Sequence, residues 1–119
     1  MPSMSDVELI QNFNAAWQDG DLETVLSCVA DDIVYTTSGG GGVPVTTYRG
    51  RAEVAAVFAE HIGHDPRLTL GPVAAGHGRA LCDWWYPMAD DGTSLRGVDV
   101  YLIRDGLIRR KDVYAKNGR

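Results

Sequence analysis

The Asp105-Gly106 pair constrains this chain more than any other short feature. Asp-Gly readily adopts the positive φ angles of a two-residue hairpin turn, so the runs flanking it, 94–104 and 107–116, are predicted to lie side by side and antiparallel. Both runs are rich in Val, Ile, Leu and Tyr. Three further stretches, 33–37, 67–75 and 79–89, read as strands, with Gly76-His77-Gly78 and Asp90-Asp91-Gly92 as turns.

The first half has helical spacing instead. Ser5 and Glu8 make a capping box, and behind them Leu9, Ile10, Phe13, Ala16 and Trp17 recur on one face until Asp19-Gly20 ends the pattern. Asp21 caps a second stripe of Leu22, Val25, Leu26, Val29 and Ala30. A third helix is predicted over 51–62, with Val54, Val57, Phe58, His61 and Ile62 on one side. The glycine run 38–42 lacks the Lys-Ser/Thr of a phosphate loop and leads into Val43-Pro44-Val45, so it reads as a flexible loop at a pocket mouth. Helices first and hairpins later predict an α+β fold: three N-terminal-half helices packed on an antiparallel sheet. With 119 residues and no linker, the whole of 1–119 is one domain.

The formal net charge of −5 argues against a nucleic-acid partner, which needs a basic stripe. No stretch approaches the ~20 apolar residues of a membrane span. The start, Met1-Pro-Ser-Met-Ser-Asp, has neither the basic nor the apolar region of a signal peptide, so a cytoplasmic protein is the expectation. Cys28 and Cys82 sit apart within apolar patterns and read as buried free thiols. No His or Cys spacing suits a metal, and no serine sits in a nucleophile elbow.

The hairpin turn also sets a register. If Arg104 faces Leu107, then Asp99 lies opposite Asp112, Tyr101 opposite Arg110 and Ile103 opposite Ile108. The Gly92 turn places Trp84 opposite Asp99 and Cys82 opposite Tyr101. One face then carries Cys82, Trp84, Tyr86, Asp99, Tyr101, Ile103, Ile108, Arg110, Asp112 and Tyr114. The other carries Leu81, Asp83, Trp85, Val98, Val100, Leu102, Arg109, Lys111 and Val113. Both are substantially apolar, so helices are expected to cover one and a second subunit the other, making a homodimer.

Asp99 stands out because its strand neighbours are apolar. Desolvation favours the neutral form of a carboxyl, and a carboxyl so tuned serves as a general acid or base. A structural Asp99–Arg110 ion pair is the competing reading. Asp83 and Lys111 form a second candidate pair on the opposite face, and a bulge or one-residue slip would exchange the two sets. His61, on the apolar side of the third helix, and Asp112 are the candidates for a second titrating group beside Asp99. Trp17, Tyr35, Phe58, Trp84, Tyr86, Tyr101 and Tyr114 are the candidate substrate-binding aromatics, with ordinary core packing as the alternative.

Several stretches together resemble SnoaL-like proteins of the nuclear-transport-factor-like superfamily. They are Phe13-Asn-Ala-Ala-Trp-Gln-Asp-Gly-Asp-Leu22, Val29-Ala-Asp-Asp-Ile-Val-Tyr35, Tyr48-Arg-Gly-Arg-Ala-Glu-Val54 and Gly97-Val-Asp-Val-Tyr-Leu-Ile-Arg-Asp-Gly-Leu-Ile108. The resemblance implies a cone-shaped α+β barrel, usually dimeric, with a pocket between sheet and helices and no metal or organic cofactor. It spans polyketide cyclases, ketosteroid isomerases and limonene epoxide hydrolases. Asp99 matches the oxyanion-stabilising aspartic acid of the isomerases, but Phe13 stands at their catalytic tyrosine and their general base falls at or near Thr37. Asp83 lies close to an aspartate of the epoxide hydrolases, but Leu81 falls near their arginine and Val113, beside Asp112, near their second aspartate. Two functions follow: acid–base catalysis on a small apolar cyclic molecule (cyclisation, isomerisation or hydrolytic ring opening), or a non-catalytic ligand-binding or assembly module.

Overall fold

The computed structural model describes residues 4–40 and 42–118. Residues 1–3 of the N-terminal stretch, Gly41 of the glycine run and Arg119 lie outside the described residues. The chain runs α1 (Asp6–Asp19), α2 (Leu22–Ser27), β1 (Val29–Thr36), β2 (Thr47–Arg49), α3 (Arg51–His61), β3 (Thr69–Gly76), β4 (Arg79–Trp85), β5 (Ser94–Arg104) and β6 (Leu107–Gly118).

Local chemistry sets the helix ends. The Glu8 amide donates to Ser5 Oγ at 3.1 Å and the Ser5 amide donates to Glu8 Oε1 at 3.2 Å, closing the predicted capping box. Gly20 ends α1 at φ 71°, a left-handed conformation that costs a glycine little. Asp21 caps α2 by accepting from the Thr24 amide. This helix stops at Ser27, short of the predicted stripe, because Val29 already belongs to β1 and pairs with Ile108. The short β2 was not expected; Thr47 to Arg49 add a hairpin partner to β1.

The six strands form one curved sheet in the order β2-β1-β6-β5-β4-β3. The α+β class with three helices on a curved sheet matches the sequence reading, and two details differ. β1 runs parallel to β6, so the sheet is mixed rather than wholly antiparallel. β2 and β3 are its two ends and do not pair with each other, so the sheet stays open. The helices cover the inner face, where Ile10, Phe13, Val25, Val54 and Phe58 meet Ile33, Tyr101 and Ile108 with essentially no exposure. Full burial of side chains of this kind contributes roughly 1.5–3 kcal/mol each, which is what holds helices and sheet together.

The register between β5 and β6 departs from the simple hairpin. Arg104 faces Leu107 and Ile103 faces Ile108 as predicted, but Leu102 then faces Arg110. Arg109 is the extra residue of a β-bulge, and from there on every β6 side chain changes face. Asp99 therefore lies opposite Val113 rather than Asp112, and Tyr101 opposite Lys111 rather than Arg110. Between β4 and β5 the pairing is displaced by two residues, Cys82 to Asp99 and Trp84 to Gly97, which keeps the predicted faces.

Candidate functional site

The bulge decides which charges enter the fold. Lys111 points to the inner face and is buried, and Val113 follows it there, whereas Arg110, Asp112 and Tyr114 turn outward. Lys111 Nζ donates to Asp99 Oδ2 at 2.9 Å, and the two side chains keep only 7% and 14% of their exposure. The ion pair on the inner face is thus Asp99–Lys111, combining one member from each pair predicted from sequence.

Asp99 holds two further donors. Its Oδ1 accepts from Trp84 Nε1 at 3.1 Å, and its Oδ2 also accepts from the Tyr101 hydroxyl at 3.3 Å. Three donors on two oxygens leave one of the roughly four acceptor sites of a carboxylate open. The Trp84 contact depends on Gly97. A Cβ there would sit 2.3 Å from the indole and 2.4 Å from the Tyr114 carbonyl oxygen, so only glycine lets the ring lie across β5 to reach Asp99.

Lys111 Nζ sits amid aromatic rings. The centroids of Tyr101, Trp17, Phe13 and Tyr35 are 5.2, 5.4, 5.8 and 5.9 Å away. Cation–π attraction of this kind gains when the charge is desolvated. The nitrogen also donates to the Tyr101 hydroxyl at 3.5 Å. Burial first, and the Asp99 charge second, hold the Tyr101 phenol well above its usual range. The same two causes push Tyr35 up to about 12. Both phenols are therefore neutral donors at physiological pH. Burial likewise raises the Cys82 thiol, and both cysteines are free and buried.

The pair forms the floor of a cavity of about 290 Å³ between α1 and the sheet. Phe13, Asn14, Trp17 and Gln18 of α1 make one wall, and Tyr35, Trp84 and Val113 another. His61, Leu68, Leu70 and Tyr86 complete the lining. The walls are largely apolar, and the polar side chains among them are two carboxamides, the ion pair, His61 and the tyrosines.

The sequence-predicted residues divide accordingly. Asp99, Trp17, Tyr35, Trp84 and Tyr86 line the cavity, and His61 reaches its rim as an exposed residue in the last turn of α3. Tyr101 is wholly buried and meets the site through its hydroxyl. Phe58 is also wholly buried and packs behind Trp17 and Tyr35, with centroids at 5.0 and 5.1 Å, rather than facing the cavity. Asp112 and Tyr114 lie on the outer face because of the bulge; Tyr114 is 59% exposed. Asp83 is also outside, its carboxylate over the backbone of Gly71. Asn14 and Gln18 were missed; they stand four residues apart on one face of α1, beside the stripe of Phe13 and Trp17. Among the described residues no three His, Cys, Asp or Glu side chains converge as a metal site, and no helix is long and apolar enough to cross a membrane.

Comparison with known proteins agrees with this architecture. An NTF2-like protein of unknown function from Mesorhizobium loti superimposes with a TM-score of 0.73 at 24% identity, covering 92% of this chain and 88% of that one. A Kribbella flavida protein provisionally named a ketosteroid isomerase gives 0.70 at 20% identity, covering 95% and 78%. A Pseudomonas putida protein provisionally named a polyketide cyclase gives 0.68 at 20%, covering 94% and 92%. At these identities the likeness is one of fold. No curated protein matches the sequence at a significant level. The model of the SnoaL-like domain matches residues 10–111, and the chain belongs to the SnoaL-like family.

Proposed function

We propose that this chain is a cofactor-independent enzyme that binds a small, largely apolar cyclic molecule in the inner cavity and moves a proton there. The observation that carries the reading is the buried Asp99–Lys111 pair at the floor of an open, aromatic-walled cavity. A carboxylate in such a place is a base for an acidic C–H. The adjacent ammonium, with three N–H groups and acceptors assigned to two of them among the described residues, is positive charge for the oxygen of the enolate that results. Cyclisation and isomerisation use a step of this kind, and in hydrolytic ring opening the same carboxylate would take its proton from water. Similarity to folds provisionally named ketosteroid isomerase and polyketide cyclase favours the first two. A second copy covering the outer sheet face belongs to the same proposal.

A binding module without turnover is the second reading, and it too has an observation behind it: Asp99 already holds three donors, as a structural carboxylate would. Exchange of ring-ketone α-protons in deuterated water, followed by NMR, separates the two. The enzyme reading expects exchange on a panel of cyclic ketones and its loss in Asp99→Asn. Ketones that bind, as seen by tryptophan fluorescence, yet show no exchange above buffer would support the binding module.

A further inference from the structure

Among the described residues Lys111 is the one buried charged side chain, and it is one of only two lysines in a chain with nine arginines. Nothing about an ion pair asks for lysine at that place. Arginine pairs with a carboxylate through a planar fork and is more weakly hydrated, so it suits buried pairs better. What an ammonium can do and a guanidinium cannot is give up a proton and act as an amine. The geometry suits that step: Lys111 lines the cavity, and Asp99 Oδ2 stands at 2.9 Å from Nζ to receive the proton. The phenols of Tyr101 and Tyr35 and the Cys82 thiol close by are held neutral by burial, and His61 and Tyr86 line the same cavity.

We propose that Lys111 is a covalent amine that forms a reversible Schiff base with an aldehyde or ketone bound in the cavity. The inference rests on the reading of the cavity as a ligand site and adds a nucleophile to it. Lys111 Nζ passes a proton to Asp99, and its lone pair attacks the carbonyl carbon. The C–N bond forms as the carbonyl π pair moves to oxygen, which takes the proton from Asp99. The carbinolamine nitrogen then returns a proton to Asp99, which delivers it to the hydroxyl as the C–O bond breaks and water leaves. Ammonium and carbonyl become iminium and water, and Asp99 ends as it began. The iminium keeps the positive charge of the lysine, so the pairing with Asp99 survives the reaction.

The exposed Lys116 is an internal control. The full chain is incubated with naphthaldehyde and sodium cyanoborohydride, which reduces an iminium to a stable secondary amine, and the adduct is mapped by peptide mass spectrometry. The proposal expects labelling of Lys111 ahead of Lys116 and the N-terminal amine. It also expects that labelling to be lost in Lys111→Arg, which keeps the charge and removes the amine. Tryptophan fluorescence, through Trp17 and Trp84, reports binding independently. Binding with label confined to Lys116 and the N-terminus overturns the amine proposal and leaves the ligand site standing. Absence of both binding and Lys111 label overturns the two together.

Discussion

Lys111 and Asp99 sit on adjacent strands but not opposite each other: Asp99 faces Val113 and Lys111 faces Tyr101, so the 2.9 Å contact is diagonal. Such a pair is sensitive to losing either member. Lys111→Met leaves the carboxylate with two neutral donors and no counter-charge, and a destabilisation of about 3–5 kcal/mol is expected. The double variant Lys111→Met/Asp99→Asn removes both charges and is expected to be more stable than the two single losses added together. Urea denaturation of the four proteins measures the coupling, and strictly additive losses would refute a cooperative buried pair.

Alkaline pH tests the floor in another way. The Tyr35 phenol is shifted from 10 to about 12 in the folded chain, so between those values the unfolded chain has lost a proton that the native state still holds. Stability is then level below pH 10 with respect to this group and falls as pH rises through 12, by roughly 2–3 kcal/mol for a shift of this size. Tyr101 is shifted in the same direction and adds to the decline. Tyrosinate absorbance should show these phenols ionising late and together with loss of structure. Tyr35→Phe should make the decline shallower, and an equally steep decline in that variant would count against the assignment.

Much of the architecture was legible because it rests on local chemistry. Ser5–Glu8, Gly20, Asp21 and Asp105-Gly106 fix ends and turns within a few residues of themselves. What was not legible depends on pairing across the chain. Nothing near Val29 announces that β1 will run parallel to β6. The bulge at Arg109 left one trace: the unbulged register sets Asp99 directly opposite Asp112, and like charges facing across strands are unfavourable. Moving β6 by one residue replaces that repulsion with Lys111 and puts Val113 inside. Trp17, Tyr35 and Trp84 line the cavity, and their inward direction comes from helix period or strand alternation. Phe58 shares that direction but sits one layer deeper, which no periodicity can distinguish.

Gly97→Ala should damage the site without touching a charge. Its methyl group would collide with the Trp84 indole and with the Tyr114 carbonyl oxygen, so ring and backbone must both give way. Overpacking of this sort costs about 1–3 kcal/mol. The indole should also lose its bond to Asp99, seen as a change in tryptophan emission. Gly76→Ala is the control, since a methyl group there meets nothing within 4 Å. Equal stability of the two variants would show that the space at Gly97 is not what seats Trp84.

The outer sheet face carries the last prediction. Leu81, Trp85 and Tyr114 are 47%, 41% and 59% exposed there, an apolar band that a second copy is proposed to cover. Basic rows flank the band. Arg49, Arg110 and Arg79 line up across four aligned pairs with Val34 and Leu102 between them, and at the other end Arg96 pairs with Trp85 and Lys116 with Arg96. Between the rows, among the described residues, Asp83 and Asp112 are the acidic ones. Whatever the angle at which two such faces meet, each brings a net positive charge to the other. Burial of apolar area favours the contact at roughly 25 cal/mol per Å², and the repulsion opposing it is screened by salt. Sedimentation at micromolar concentration should therefore find a dimer that tightens as salt rises, and Leu81→Lys should return it to monomer without loss of the Asp99–Lys111 cavity. A wild-type chain that stays monomeric at all salt concentrations would sink the proposal.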